Sequence, residues 1–261
     1  MGLSLLGDLR DMLILQEQKR RRISSKNSFN DYGFQIFSQT DEDGLTLEIL
    51  ARIPEIENNF IEFGVGNGTE NNTLVLLASG WKGFWVGGED IIVPSKNERL
   101  NYLQCWVTLD SLESIISLVK STYSKFGVVS MDLDGNDYWL VQRMLEKSIL
   151  PDIFIVEYNG KFAPPINFIQ DYNDDHTWDR DDYFGASLNS WSNLFDKFGY
   201  FLVACNSASG SNAFFVRNEY IDRFSDIPAD IGEIYQSPFY LIPSKRSIHK
   251  VNSKTIRSLI K

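Results

Sequence analysis

The chain has 261 residues, 43% of them hydrophobic, and a formal net charge of −10. This length and composition allow one large core with appendages. The negative charge disfavours nucleic acid as a partner, and no apolar run is long enough to span a membrane. Its two cysteines stand in no metal-ligand spacing, which predicts reduced thiols in a cytoplasmic protein.

Residues 3–22 place apolar side chains at helical spacing between charged ones, which predicts an amphipathic helix. Asp8 and Asp11 interrupt its apolar stretch, so we expect no signal peptide. The apolar stripe could cover the body, pair with a second copy of the chain as a homodimer, or touch a membrane surface. Clustering of the basic residues at one end favours the first two. We expect three parts: an N-terminal helix and polar linker over 1–33, a domain over 34–218 and an extension over 219–261.

Strand and helix patterns then alternate, which is typical of a mostly parallel α/β sheet. The turn between the last two expected strands is too short for a parallel crossover, so these strands should pair antiparallel. The sequence therefore predicts a seven-stranded, mostly parallel sheet that ends in an antiparallel hairpin. The expected strands are 59–63, 83–86, 103–107, 127–131, 153–156, 200–204 and 213–216.

The most specific local pattern follows the first strand, where Gly64, Gly66 and Gly68 alternate after Glu62. Glycines two apart let the backbone turn sharply and approach a ligand closely. The next helix would then point its N-terminus into the crevice where nucleotide-like ligands bind. Thr69 stands where the dinucleotide fingerprint has its last glycine, which disfavours NAD. A tight turn without a ligand is the alternative.

Carboxylates follow three further strands, at the edge where open α/β sheets bind ligands. Glu89 or Asp90, after the second strand, could accept hydrogen bonds from the two hydroxyls of a ribose. Asp132 and Asp134 after the fourth strand and Glu157 after the fifth offer the hard oxygen ligands that Mg²⁺ or Mn²⁺ prefers. Alternatively, the stretch after the fourth strand is only an Asx-type turn that leads into a helix.

Residues 161–185 are too long for an ordinary connection, and such segments usually form lids or binding loops. His176 lies on this loop near Trp178 and several acids. Because imidazole titrates near neutrality, His176 is predicted to be a general base or a metal ligand, with a surface histidine as the alternative. His249 falls in a basic tail over 245–257, which could meet a nucleotide diphosphate or pack on the acidic body.

Longer motifs recur in a fixed order between about residues 36 and 217. They are Ser38-Gln39 with Glu42-Asp43-Gly44, residues 60–73, residues 80–85, residues 130–138, Val156-Glu157-Tyr158-Asn159 and Gly185-Ala186-Ser187-Leu188. Together they resemble the FkbM-type family of S-adenosyl-L-methionine (SAM)-dependent O-methyltransferases. The resemblance implies a Rossmann-like methyltransferase fold and a bacterial cytoplasmic enzyme that methylates a sugar hydroxyl. Its acceptor would be a nucleotide-activated or lipid-linked sugar, or a glycan, for capsule or other surface polysaccharide.

By position, the resemblance implies a SAM pocket lined by Gln39, Glu62, Gly64, Gly66, Glu89 and Asp132. Many relatives carry an acid directly after the second strand, where this chain has Gly87-Gly88. The ribose contact therefore stays open between Glu89 and Asp90, and Gly68 is expected in the same pocket. His176 or Asp132 would take the hydroxyl proton, and Asp132, Asp134 and Glu157 would hold the divalent cation.

Two rival functions use the same fold class. An NAD-dependent nucleotide-sugar oxidoreductase or epimerase would want a glycine at position 69 and a Tyr-x-x-x-Lys pair, which the sequence lacks. A catalytically silent glycan-binding protein would have lost the acids at the strand ends, which are all present here.

Overall fold

The structure, a computed structural model, describes residues 2–92, 98–239 and 249–259. Part of the expected basic tail, residues 245–248, lies outside the described residues. The strands are β1 (Asn59–Phe63), β2 (Lys82–Gly87), β3 (Leu100–Gln104), β4 (Val128–Met131), β5 (Ile153–Glu157), β6 (Tyr200–Cys205) and β7 (Asn212–Arg217). The α-helices are α1 (Gly2–Ser24), α2 (Glu42–Arg52), α3 (Leu74–Ala78), α4 (Leu109–Thr122), α5 (Asp137–Glu146), α6 (Leu188–Lys197), α7 (Ile231–Ile234) and α8 (Ser253–Leu259).

All seven strands form one sheet in the order β3-β2-β1-β4-β5-β7-β6. β1 to β5 pair in parallel, whereas β7 runs antiparallel to both β5 and β6. The seven-stranded, mostly parallel sheet that ends in an antiparallel hairpin, as predicted from the sequence, is confirmed. Its carboxyl edge brings together the residues that follow β1, β2, β4 and β5.

The sheet is buried on both faces, which explains why its strands have continuous apolar runs. Successive side chains of a strand point to opposite faces, so Phe60 and Ile61 of β1 enter different core clusters. One cluster packs α4, α5 and α6 against the sheet, and the other packs α2 and α3 against the opposite face. Both cysteines are free thiols.

Two elements differ from their predicted bounds by three residues or more. β3 begins and ends three residues earlier than expected, because Leu100 pairs with Gly83 and Gln104 pairs with Gly87. The apolar pattern that suggested a strand continues past the sheet, and Val107 is instead buried beside α4. The sequence pattern predicts that the helix after β1 begins at Thr69. α3 begins instead at Leu74, because the buried carboxylate of Glu62 binds the backbone of the preceding turn.

The segment expected to be a polar linker is attached to the body. It contains a 3-10 helix, Ser28–Tyr32, whose Phe29 is buried, and Asn27 Nδ2 donates to the Val203 carbonyl at 2.8 Å. The end of α1 is held by Arg21, whose Nε donates to the Ser207 carbonyl at 2.7 Å. Within the described residues, no helix is long and apolar enough to cross a membrane. Pairing of α1 with a second copy stays a prediction.

Candidate functional site

Two cavities meet at the carboxyl edge of the sheet. The first cavity, of about 630 Å³, lies among the residues that follow β1, β4 and β5 and the turn before β7. The second cavity, of about 460 Å³, lies among the residues that follow β1, β2, β3 and β4. Gly64, Gly66, Asp132, Asp134 and Trp178 line both. A ligand that spans the two cavities would therefore pass over the glycine turn.

The glycine turn has the backbone that only glycine adopts easily. Gly64 has φ +84°, and a Cβ there would lie 1.5 Å from the Asp132 carbonyl oxygen. Gly66 has φ +49° and open space around it, as expected where a ligand approaches. Gly68, predicted to line the pocket, lies against the Trp85 ring and lines neither cavity.

Glu62 lines the first cavity but has both carboxylate oxygens engaged by the protein. It accepts hydrogen bonds from the Asn72 N–H at 2.8 Å, the Thr73 N–H at 3.1 Å and the Thr73 hydroxyl at 2.5 Å. Trp85 Nε1 donates to the same hydroxyl at 2.9 Å. Burial raises the pKa of Glu62. These contacts show a carboxylate that fixes the turn between β1 and α3.

Asp132, Asp134 and Glu157 come together as the sequence predicts. One carboxylate oxygen from each lies within 4.8 Å of the others. Oε2 of Glu157 is buried without a hydrogen-bond partner among the described residues. Burial, and then repulsion from neighbouring acids, raises the pKa of Asp132 and Glu157 well above the ordinary range. Burial, and then repulsion from Asp137, raises the pKa of Asp134 to about 6. Such a set of oxygen donors fits Mg²⁺ or Mn²⁺; that a cation binds there stays a prediction.

The turn that presents these acids is built by Asp137. Its buried carboxylate accepts hydrogen bonds from the Leu133 N–H at 2.7 Å and the Gly135 N–H at 2.9 Å. Asp134 sits in this turn with φ +55°. The stretch is thus an Asx-type turn that also exposes Asp132 and Asp134 to both cavities, so the two interpretations of the sequence are compatible.

His176 lies against this turn rather than in the first cavity. Its Nε2 is 3.2 Å from the Asp134 carbonyl oxygen, and a Cβ at Gly135 would lie 2.2 Å from its Cδ2. The loop is held there by Asn136, whose Nδ2 donates to the Asn173 carbonyl at 2.7 Å. His176 lines the second cavity. The contact with Asp134 holds the loop against the turn, and a role of His176 as general base or metal ligand stays a prediction.

The second cavity distinguishes between the two candidate ribose acids. Glu89 lines it together with Gly87 and Gly88. Asp90 does not, and its carboxylate accepts a hydrogen bond from Gln104 Nε2 at 3.0 Å. Trp106, 57% exposed, adds an aromatic wall, and its indole N–H donates to the Asp174 carbonyl at 2.8 Å. Of the two acids, Glu89 is the one placed to contact a ligand in this cavity.

The segment before α2 forms part of the first cavity and carries Gln39, as the resemblance implies. Asp43 holds this segment in place, since its Oδ2 accepts the N–H groups of residues 36–38 at 2.6 to 2.9 Å. Glu42, which sequence reasoning did not assign to the site, lines the cavity and accepts hydrogen bonds from Asn206 at 2.8 Å and Asn212 at 3.1 Å. The only indication of this in the sequence is that Glu42 belongs to one of the motifs that resemble the FkbM-type family.

The chain is similar to no family model and to no curated protein that was compared. It is similar to the solved structure of a putative ribosomal RNA methyltransferase from Plasmodium falciparum, at 10% identity and a TM-score of 0.39, over 66% of this chain and 92% of that one. It is also similar to MycE methyltransferase from the mycinamycin biosynthetic pathway, in complex with Mg, SAH and mycinamycin VI. There the identity is 16% and the TM-score 0.40, over 70% of this chain and 50% of that one.

A third similar structure is an O-methyltransferase from Bacillus cereus in complex with SAH, at 17% identity and a TM-score of 0.38, over 77% of this chain and 88% of that one. All three are named as methyltransferases, but likeness at this level carries no argument about activity. The chain spans half the length of MycE. The FkbM-type resemblance stays a prediction.

The walls of the first cavity are acidic, hydroxylated and aromatic. Among residues 2–92, 98–239 and 249–259, no Lys or Arg lines it. Its carboxylates are Glu42, Glu62, Glu70, Asp132, Asp134 and Glu157, its hydroxyls belong to Thr40, Thr69, Ser209 and Ser211, and its aromatic rings to Trp178, Phe184 and Phe239. The only imidazole in this described lining is that of His249. The sequence predicts that the tail carrying His249 could meet a nucleotide diphosphate or pack on the acidic body, but nothing in it indicates that His249 itself lines a cavity at the sheet.

Proposed function

We propose that this protein is a SAM-dependent O-methyltransferase that methylates a sugar hydroxyl. The observation that carries the proposal is the meeting of the two cavities at Gly64, Gly66 and the Asp132–Asp134 turn. The adenosine part of SAM would occupy the second cavity, with Glu89 accepting hydrogen bonds from the ribose hydroxyls. The methionine part would cross the glycine turn, so that the electrophilic methyl group that SAM supplies faces the first cavity.

Charge supports SAM over a dinucleotide. The sulfonium and ammonium groups of SAM are cations, and six carboxylates line the first cavity without a Lys or Arg among the described residues. A cavity lined by one sign of charge concentrates ligands of the opposite sign. The pyrophosphate of NAD would instead meet these acids at short range, which is unfavourable in a partly buried site. The NAD-dependent rival is therefore disfavoured by electrostatics as well as by Thr69.

The lining of the first cavity supports a sugar as the methyl acceptor. Aromatic rings next to hydroxyl and carboxylate groups suit a molecule with apolar faces and polar edges, and Trp178, Phe184 and Ser209 supply these groups here. Asp132, Asp134 and Glu157 would hold Mg²⁺ or Mn²⁺, which would lower the pKa of an acceptor hydroxyl. The cavity would also hold that hydroxyl in line with the methyl group, and such alignment lowers the barrier substantially.

The sequence resemblance supports a nucleotide-activated or lipid-linked sugar for capsule or another bacterial surface polysaccharide as the acceptor. The acidic first cavity would take the sugar ring and leave any phosphate outside. Arg21 offers a cation for such a phosphate, since its guanidinium lies 5.6 Å from the ring centroid of Phe239, which lines the cavity. Sugars of this kind are assembled in the cytoplasm, so the proposal implies a cytoplasmic enzyme.

Calorimetric titration with S-adenosylhomocysteine (SAH), the product of SAM, tests cofactor binding directly. We expect saturable binding of SAH and none of NADH. Methyl transfer from labelled SAM to a panel of nucleotide sugars, with Mg²⁺ or Mn²⁺ present, then tests the acceptor class. Folded protein that does not bind SAH would contradict the proposal. Binding of SAH without transfer to any sugar would favour the catalytically silent glycan-binding protein.

A further inference from the structure

Two carboxylates of the long loop fasten the C-terminal segment, residues 249–259. That of Asp181 accepts a hydrogen bond from Asn252 Nδ2, and the buried one of Asp182 makes the larger number of contacts. The Asp182 carboxylate accepts hydrogen bonds from Lys161 Nζ at 2.6 Å, the Asn252 N–H at 2.7 Å and the Thr255 hydroxyl at 2.7 Å. The Asp182 N–H donates to the Lys250 carbonyl at 2.9 Å. Asp182 therefore bonds to three positions of the segment and to Lys161.

These hydrogen bonds are stronger than those between neutral groups, because their acceptor is an ionised carboxylate in a buried position. The Asp182 side chain is only 1% exposed. Burial alone would raise its pKa, but the bonds from Lys161, Asn252 and Thr255 hold the pKa below the ordinary value. A buried ion pair that loses one partner is strongly destabilised. The segment is thus fixed as long as Asp182 is ionised.

Fixing the segment places His249 in the first cavity. Lys161 Nζ, which pairs with Asp182, also donates to the His249 carbonyl at 3.0 Å. The His249 ring packs edge-on against Trp178, with ring centroids 4.8 Å apart, and against Phe184 at 5.7 Å. The carboxylates of Asp134 and Glu157 line the same cavity. His176, in contrast, faces the second cavity.

On the basis of the proposed function, we propose that His249 is the general base for the acceptor hydroxyl and that Asp182 and Lys161 are its positioning residues. The acceptor oxygen forms a bond to the methyl carbon as the bond from that carbon to sulfur breaks. The electron pair of the broken bond stays on sulfur, which leaves as the neutral thioether of SAH. The hydroxyl proton moves to a ring nitrogen of His249 and then to solvent.

The charges around His249 suit this role. Burial and the Lys161 ammonium lower its pKa, while Asp181 and Asp182 act in the opposite direction. The net effect is a lowered pKa, so the imidazole is neutral and able to accept a proton near neutral pH. Asp134 and Glu157 also face the cavity, and a divalent cation bound to them would offset their negative charge.

Substitution of His249 by Gln tests the assignment against the matched variant His176→Gln. A general base contributes roughly 10²- to 10⁴-fold to rate. We therefore expect His249→Gln to lower kcat at least about 100-fold, to remove the acid limb of the pH–rate profile, and to leave the Kd for SAH unchanged. His176→Gln should keep the acid limb. The proposal is overturned if His249→Gln keeps that limb and a kcat near that of the wild type.

The positioning role has a readout that does not depend on activity. The chain has only two histidines, so NMR resolves both imidazoles, and His176→Gln assigns them. We expect the His249 resonance to titrate below the ordinary histidine range and to respond to an added acceptor sugar. Asp182→Asn should shift this resonance and lower kcat with little change in the KM for SAM.

Thr255→Val removes one hydrogen bond from Asp182 and should give a smaller change of the same kind, which keeps the proposal testable if Asp182→Asn does not fold. An unchanged His249 resonance and kcat in the folded variants would overturn the positioning role. If the wild type bound no SAH, the proposed function would fail first. If the wild type bound SAH and transferred the methyl group normally, and His249→Gln kept the kcat of the wild type, the proposed function would stand. Only the assignment of His249 as general base would then be wrong.

Discussion

Gly64 and Asp132 pack backbone to backbone. A Cβ on Gly64 would lie 1.5 Å from the Asp132 carbonyl oxygen, and the Asp132 N–H donates to the Phe63 carbonyl at 3.1 Å. The turn expected to carry SAM and the turn that presents the carboxylates are therefore in direct contact. Movement of one turn would displace the other, so the two halves of the site are held in a fixed relation.

Substitution of Gly64 by Ala should destabilise the fold, because the methyl group meets a carbonyl oxygen and the residue has φ +84°. We expect a loss of more than about 3 kcal/mol in the free energy of unfolding, measured by urea denaturation. Gly66→Ala is the control, since its Cβ would meet open space and only its φ of +49° is unfavourable. That variant should lose about 1 kcal/mol. Equal losses in both variants would contradict the contact.

The ribose contact should depend on Glu89 and not on Asp90. Both are exposed, so neither substitution should disturb the fold. Glu89→Ala removes an acceptor from the second cavity and should weaken SAH binding about tenfold, which corresponds to about 1.4 kcal/mol. Asp90→Ala should leave the Kd within about twofold. Calorimetric titration of both variants measures the difference, and a larger effect in Asp90→Ala would reverse the assignment.

Cation binding should require the carboxylate cluster. Asp134→Asn or Glu157→Gln removes one of three anionic ligands and should weaken Mn²⁺ binding at least about tenfold. Glu70→Gln is a matched control, because Glu70 also lines the first cavity but is not part of the cluster. Titration calorimetry with Mn²⁺ alone tests this without any assay of activity. Equal weakening in Glu70→Gln would indicate a general charge effect instead of a site.

The same cluster should make stability fall as pH rises in metal-free protein. The folded-state pKa of Asp134 is raised to about 6 by burial and by Asp137, whereas an unfolded aspartate titrates near 3.9. The folded state therefore binds more protons between these values, and the stabilising contribution is present below about pH 4 and lost as pH rises through about 6. The free energy of unfolding of the wild type, relative to Asp134→Asn, should fall over this range.

Urea denaturation in the presence of a chelator measures this difference, with the exposed Asp175→Asn as the control variant. Addition of Mg²⁺ should cancel the loss in the wild type and have little effect on Asp134→Asn. A relative stability that stays constant with pH would show that the repulsion at Asp134 is negligible.

Much of the fold could be predicted from the sequence because it is encoded locally. The apolar runs that form β1, β4 and β5 are buried on both faces, and acids follow each run. Since parallel strands end at one edge, the convergence of Asp132, Asp134 and Glu157 follows from these positions alone. The glycine turn could also be predicted from the sequence, because backbone positions with positive φ favour glycine over other residues.

The remainder depends on contacts between distant parts of the chain. Nothing near His249 indicates that Asp182 will bind Asn252 and Thr255 and so bring the tail to the site. His176 was predicted to be a general base or a metal ligand because of its neighbours in sequence, and that role stays a prediction. Its contact with the Asp134 carbonyl and its place beside the second cavity depend on the fold. Glu62 was predicted to line the SAM pocket, and it lines the first cavity. Its hydrogen bonds from the N–H groups of Asn72 and Thr73 join it to a later turn and could not be predicted from the sequence around it.

The segment before α2 also shapes the turn between β6 and β7. The Asp41 carboxylate accepts hydrogen bonds from the Ser207 N–H at 3.1 Å, the Ser207 hydroxyl at 2.7 Å and the Ala208 N–H at 3.1 Å, across 166 and 167 positions in sequence. Contacts between such distant residues close a large loop and form slowly. β6 and β7 can pair early in folding, whereas the turn between them becomes fixed only after the segment that carries Asp41 has docked. Pulsed hydrogen exchange should therefore find the Ser207 and Ala208 amides protected later than those of the hairpin itself.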